Sequence, residues 1–377
     1  MIRAMVLRAL VLTAAVAVAS APVPCLAQAG NDKPSEAVGE KPGEAKKPAP
    51  PKLPAKATKK LSPEMLALLR EKAMSVASPI LLRVFKQEAE LEVWKRDASG
   101  SFALLKTYPI CRWSGDLGPK LREGDGQTPE GFYRVTPAQM NPHSNYHLAM
   151  NIGYPNVFDR ANGRDGSLIM IHGDCWSVGC FAMTDEQIGE VYALAREAFA
   201  GGQASFQVQS YPFRMTPLNL VRHRNNRNLA FWTTLKTGND HFEATHLEPR
   251  VDICNRAYVF NAQRPPKSAK PLAFSPAGPC PAYAVDPDIA QRVSGKQRAD
   301  DVEYARLLAD NAPAAPVYSE LDGGMNEAFL AQFAGRISLS RRIGLDLARH
   351  PVELLMGEHQ RMIALGLAEL AERRVGE

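Results

Sequence analysis

Cys180 closes the run Leu168-Ile169-Met170-Ile171-His172-Gly173-Asp174-Cys175-Trp176-Ser177-Val178-Gly179-Cys180, which already contains a histidine and two glycines. A cysteine becomes a strong nucleophile as its thiolate, so it needs a base within reach of its proton. It also needs N–H donors aimed at the oxyanion that forms when it attacks a carbonyl. The apolar residues Leu168–Ile171 read as a strand that ends on His172, and an imidazole there can serve as the base. Gly179 lets the backbone approach a substrate, which makes the N–H groups around Gly179 and Cys180 candidates for an oxyanion hole. Downstream, Thr184 and Gln187 form a capping box that predicts a helix, whose N-terminus would favour the developing anion. The chemistry these residue types suit is nucleophilic attack on a carbonyl with passage through a thioester. For such a pair taken alone, a buried structural cysteine and a satisfied core histidine are the competing reading.

Cysteine arithmetic favours the chemical reading. Arg3 and Arg8 precede an apolar run from Ala9 to Ala21, followed by Ala27-Gln28-Ala29. This pattern reads as a cleaved signal peptide over residues 1–29, with an uncleaved anchor helix as the alternative, and it places the chain in the periplasm or cell envelope. Of six cysteines, five remain once Cys25 is removed with that segment. In an oxidising compartment an odd count leaves one thiol free. Parity alone suggests Cys254 with Cys280 and Cys111 with Cys175, leaving Cys180. His143 and His147 sit in a loop without an accompanying acid, so neither a metal nor an organic cofactor is expected.

These residues must be positioned by a core, and a hydrophobic content of 45% in 377 residues is enough for one. The net charge of +5 lies outside that core, in Arg3, Arg8 and eight lysines set against four acids over residues 30–60. The remainder is balanced to within one charge, which excludes a nucleic-acid footprint. Residues 30–61, rich in Lys, Pro and Ala, read as a disordered linker. Residues 62–262 read as a mainly β domain with helices, an α+β arrangement. Alternation predicts strands at 80–85, 89–94, 102–108, 131–136, 147–152, 168–171 and 206–209. Ser62-Pro63-Glu64 predicts a helix start. The capping box at Thr184 opens a helix running to about Phe199, one of a few helices in this domain. Residues 263–287 read as an irregular Pro-rich connector. Residues 288–377 read as a helical C-terminal region, with amphipathic helices over 288–309 and 324–374 and no evident chemistry.

The order His-Gly … Ser-x-Gly-Cys, preceded by Thr128-Pro129-Glu130-Gly131-Phe132-Tyr133, resembles the YkuD-type L,D-transpeptidase catalytic domain. Tyr108-Pro109-Ile110-Cys111, Ser114-Gly115-Asp116-Leu117-Gly118-Pro119-Lys120, Asn151-Ile152-Gly153-Tyr154-Pro155-Asn156 and Cys180-Phe181-Ala182-Met183-Thr184-Asp185 are similar to its YafK-like branch. The resemblance spans roughly residues 78–262 and implies a β-sandwich or barrel catalytic domain, here with a helical C-terminal extension. It further implies action on peptidoglycan stem peptides. Cys180 matches the nucleophile and His172 the base, while Gly173 matches a partner that acts through its backbone. Val178 stands where the family commonly has a histidine next to the Gly-Cys pair, and Ala182 where many relatives have arginine. Ser177, Arg112, Lys120 and Arg122 are therefore the candidates for holding the substrate. The expected activity is acyl transfer to an amine in cell-wall remodelling. The alternative is an amidase that releases a lipoprotein or outer-membrane protein attached to the wall, and a non-enzymatic wall-binding protein ranks below both.

Overall fold

The computed structural model describes residues 52–266, 268–316 and 323–329. The expected signal peptide, the linker up to residue 51 and the C-terminal helix beyond residue 329 lie outside them. In chain order the elements are α1 (Ala55–Thr58), α2 (Pro63–Glu71), β1 (Ile80–Phe85), β2 (Glu90–Arg96), β3 (Phe102–Pro109) and β4 (Gly131–Val135). After a short 3-10 turn come β5 (Met140–Asn141), β6 (Ala149–Asn151), α3 (Val157–Ala161), β7 (Met170–His172), β8 (Phe181–Ala182) and α4 (Asp185–Ala200). The chain continues through β9 (Phe206–Tyr211), α5 (Pro217–Arg222), α6 (Leu229–Thr245), β10 (Val251–Cys254), β11 (Ala257–Phe260) and α7 (Pro287–Ala309). This is the mixed α+β class that the sequence predicts.

The larger sheet has the order β3-β2-β1-β9-β4, with β1 and β9 parallel and the other pairs antiparallel. Strand β1 is buried along its whole length, so its alternating side chains enter two different cores. Ile80, Leu82 and Val84 join Ile188, Val191 and Leu194 of α4. On the other face Leu81 packs with Phe242, and Phe85 with Trp232 and Leu235, all three from α6. Burial of Leu235 and Phe242 contributes on the order of 1.5–3 kcal/mol each. Arg83 is buried on this face too, and donates to Glu243 and Asn239 of α6, each at 2.6 Å.

Helix α6 and the β10–β11 hairpin are not among the elements located from the sequence. Helix α6 has no side-chain cap at Asn228 and buries Asn239, Asp240 and His241, so neither a start signal nor a clean apolar stripe marks it. Its Gly238 is needed for close packing, because a Cβ there would lie 2.3 Å from the Phe132 ring and 2.5 Å from Phe260. The hairpin turns through Asn255 and Arg256, both at positive φ, without the glycine that usually betrays such a turn.

Three domain expectations also change. The last residues of the predicted linker form α1 and dock on the body, where Ala57 is buried and its carbonyl accepts from Arg196 at 2.7 Å. The connector is fastened by the Cys254–Cys280 disulfide, and α7 packs on α5 and α6, with Lys236 and Lys296 both holding Asp300. Residues 263–309 thus belong to the same compact unit as the strands. Residues 324–326, expected to begin a helix, instead lie along Trp113, which exchanges two 3.0 Å backbone hydrogen bonds with Gly324.

Candidate active site

The smaller sheet has the order β5-β6-β7-β8. Strands β7 and β8 are parallel, with Ile171 opposite Phe181 and His172 opposite Ala182. This register sets Cys180, which immediately precedes β8, beside the start of β7. The Met170 N–H donates to Cys180 Sγ at 3.4 Å, and the thiol points to the Leu168 carbonyl at 3.7 Å. The thiol therefore lies two residues along β7 from His172. Parity is met as well: Cys111 pairs with Cys175, and the half-buried Cys180 is the free cysteine among the described residues.

His172 is only 2% exposed, and its Nδ1–H donates to the Gly173 carbonyl at 2.6 Å. That bond fixes the tautomer and leaves the lone pair on Nε2. The Tyr146 ring lies over the imidazole at 4.8 Å, and Trp176 stacks on Tyr146 from outside. Gly173 is required here by space, since a Cβ would come within 2.5 Å of Asp185 Oδ1 and 3.0 Å of His147 Cβ. Burial pushes the His172 pKa down against the pull of the Gly173 bond, and pushes the Cys180 thiol up against the Met170 N–H and the Lys120 charge. At neutral pH both groups rest uncharged, as thiol and imidazole.

The loop that ends on Cys180 is held from below by Ser114, Thr128 and Ser177, the last of which was expected to hold substrate instead. Ser114 Oγ accepts from the Gly179 N–H and lies 3.2 Å from Ser177 Oγ. Ser177 and Thr128 both donate to the Cys180 carbonyl, at 2.7 and 3.2 Å. Thr128 Oγ1 in turn accepts from the Ser114 N–H. Beneath them Lys86 donates to the carbonyls of Asp116, Gly118 and Thr128 and to Glu130. A lysine directly after an apolar strand, with a glutamate in a Thr-Pro-Glu-Gly run, was the available signal.

Several expected roles shift. The Gly179 N–H is committed to Ser114 Oγ, so it is not an oxyanion donor in this state. Helix α4 starts beyond β8, and its Gln187 N–H is capped by Thr184 while Asp185 accepts from the Asp174 N–H. Its N-terminus is thus engaged by its own neighbours. Ser177 is buried and supports the Cys180 backbone, not an exposed ligand surface. Arg112 is buried beside β8, where its backbone forms a bridge with Ala182. Lys120 is buried too, with its ammonium on Asp125 and the Arg122 carbonyl, so it braces a loop. Arg122 is exposed on that loop, and its backbone N–H donates to Asp125 at 3.0 Å.

Residues 81–204 match the family model of the L,D-transpeptidase catalytic domain, YkuD. The chain is 45% identical over 188 residues to the "Putative L,D-transpeptidase YafK" of Escherichia coli (strain K12), an alignment covering 50% of this chain and 76% of that protein. The chain belongs to the L,D-transpeptidase family. The matched region of the chain runs from β1 past α4 and contains every residue of the site described above. Among solved structures, the chain is similar to the helical cell shape determining protein Pgp2 from Campylobacter jejuni, at 23% identity and a TM-score of 0.29 over 40% of this chain and 56% of that one. It is also similar to Bd1075 of Bdellovibrio bacteriovorus, at 22% identity and a TM-score of 0.24 over 36% of this chain and 48% of that one.

Proposed function

We propose that the protein is a cysteine acyltransferase acting on peptidoglycan stem peptides, with Cys180 as nucleophile and His172 as general base. The observation that carries this reading is the placement of the free thiol beside β7, two residues along the strand from His172, whose Nδ1 is taken by Gly173. Nε2 is then the nitrogen left to receive the thiol proton as Sγ attacks the carbonyl of the diaminopimelyl residue. The imidazolium returns that proton to the departing D-alanine amine, and the acyl group remains on Sγ as a thioester. An acceptor amine attacks the thioester, gives its proton to His172 and regenerates the thiol. Burial favours the neutral form of both groups, in keeping with proton transfer as Sγ attacks. Two disulfides in the described residues support an oxidising compartment, in keeping with export through residues 1–29.

The test is mass spectrometry of muropeptides incubated with the protein, with Cys180→Ala as control. Cross-links between two diaminopimelyl residues, or exchange of the terminal D-amino acid, should appear with the wild type only. Release of a wall-attached protein remnant without new cross-links would replace transfer with hydrolysis at the same thiol. Equal activity in Cys180→Ala would refute the assignment.

A further inference from the structure

A cleft of about 710 Å³ opens between α1, β3 and the first turns of α4. That is the size of a small-ligand site, roughly 300–1,000 Å³. Four lysines line it, Lys56, Lys59, Lys60 and Lys106, together with the acids Asp185, Glu186 and Glu190. Some of these charges already have partners. Lys56 donates to the Ser144 carbonyl at 3.1 Å, and Lys106 pairs at 2.6 Å with Glu190. Asp185 accepts from the Asp174 N–H and lies 3.5 Å from His147. Lys59, Lys60 and Glu186 are exposed and form no ion pair among the described residues.

The cleft shares a wall with the catalytic site. His147 lines the cleft, while the preceding Tyr146 lies over His172 and accepts from the Gly173 N–H at 3.1 Å. Tyr146 and His147 thus link the cleft to the imidazole.

We propose that this cleft binds a part of the substrate peptide that carries at least two carboxylates and one free amine, next to the bond that Cys180 attacks. The inference rests on the peptidoglycan reading, because a stem peptide with a diaminopimelyl residue has this charge pattern. Lys59 and Lys60 meet its carboxylates and Glu186 its amine. A polymer with anionic groups alone would leave Glu186 without a partner, and a neutral glycan would leave all of these charges unused. Both lysines lie outside the matched catalytic residues 81–204, so the segment whose composition reads as a linker supplies part of the specificity.

The experiment measures binding of a fluorescent L-Ala–γ-D-Glu–diaminopimelyl–D-Ala peptide to the full chain carrying Cys180→Ala. Adding Lys59→Glu and Lys60→Glu should weaken binding about tenfold, and raised salt should weaken the parent complex. Acetylating the free amine should cost affinity with Glu186 present and cost nothing in Glu186→Gln. In the active enzyme the lysine reversals should raise KM with kcat unchanged, and leave the rate at which a small carbapenem acylates Cys180 unaltered. Unchanged peptide affinity, or equal losses in kcat and acylation rate, would overturn the cleft as a substrate site. If the wild type turns over no stem peptide, the enzymatic reading fails, while the binding arm still decides the cleft.

Discussion

Lys86 Nζ and Glu130 Oε1 lie 2.9 Å apart, and neither side chain reaches solvent. Each is fully satisfied: Lys86 by three carbonyls besides Glu130, and Glu130 by the Gly118 N–H and the Trp232 indole N–H. Burial drives the Lys86 pKa down and the Glu130 charge opposes it. The pair anchors the loop from Asp116 to Glu130, whose Thr128 supports the Cys180 carbonyl. Removing one partner leaves a buried charge uncompensated, which costs about 3–5 kcal/mol. Urea unfolding of Lys86→Met should show a loss of that size. The double variant Lys86→Met with Glu130→Leu should lose less than the sum of the single losses. A neutral Lys86→Met would contradict this account of the loop.

On the proposed function, Ser114 is a positioning residue for Cys180. Ser114→Ala removes the acceptor of the Gly179 N–H and the partner of Ser177, both buried. Leaving such groups unsatisfied costs about 1–3 kcal/mol. Expressed at the loop, that loss should slow acylation of Cys180 by a carbapenem about tenfold. Ser114→Thr should restore most of the rate. Slow acylation in both variants, with unchanged unfolding stability, would assign Ser114 a direct chemical part instead.

The pH dependence follows from His172. Its folded pKa is held below the ordinary 6.5 by burial, so the unfolded chain takes up this proton at a higher pH than the folded one. Stability contributed by the neutral imidazole is complete above about pH 6.5 and falls as pH drops from there toward the folded pKa. The acid limb of kcat/KM should likewise have an apparent pKa below 6.5. Because burial raises the Cys180 pKa, no thiolate absorbance should appear at neutral pH in the resting enzyme. An acid limb above 6.5, or a thiolate signal at rest, would indicate a preformed ion pair.

The Cys111–Cys175 bridge closes 64 residues and fixes the middle of the catalytic loop. Replacing both with serine should lower unfolding stability by about 2–4 kcal/mol and slow acylation of Cys180. Thiol counting on denatured, unreduced chain from residue 30 onward should find a single free thiol, Cys180. A second free thiol would contradict the pairing.

The parts of this fold that follow local rules were legible in the sequence. Strand β1 has the predicted bounds, because a run of apolar residues stops at the polar Lys86-Gln87-Glu88 turn. Helix α4 begins where Thr184 and Gln187 cap it. What escaped depends on distant partners. Helix α6 is defined by the sheet face it covers, through contacts such as Arg83 with Asn239, 156 residues apart. Lys86 appears solvated in the sequence, and only its three-dimensional company makes it a core residue. Strand β8 has two residues, too few for a period, and its register with β7 sets Cys180 beside Met170, two residues before His172. The direction of the Gly179 N–H was equally hidden, since a glycine before the nucleophile suits either an oxyanion donor or a turn pinned by Ser114.

The most direct measurement is the intact mass of the protein after exposure to a carbapenem, followed by peptide mapping. A strained β-lactam carbonyl offers Sγ the same attack as the donor peptide. The account predicts one inhibitor adduct, located on Cys180, that forms in the wild type, forms more slowly in His172→Ala and is absent in Cys180→Ala. No adduct on the wild type, or an adduct that persists in Cys180→Ala, would contradict it.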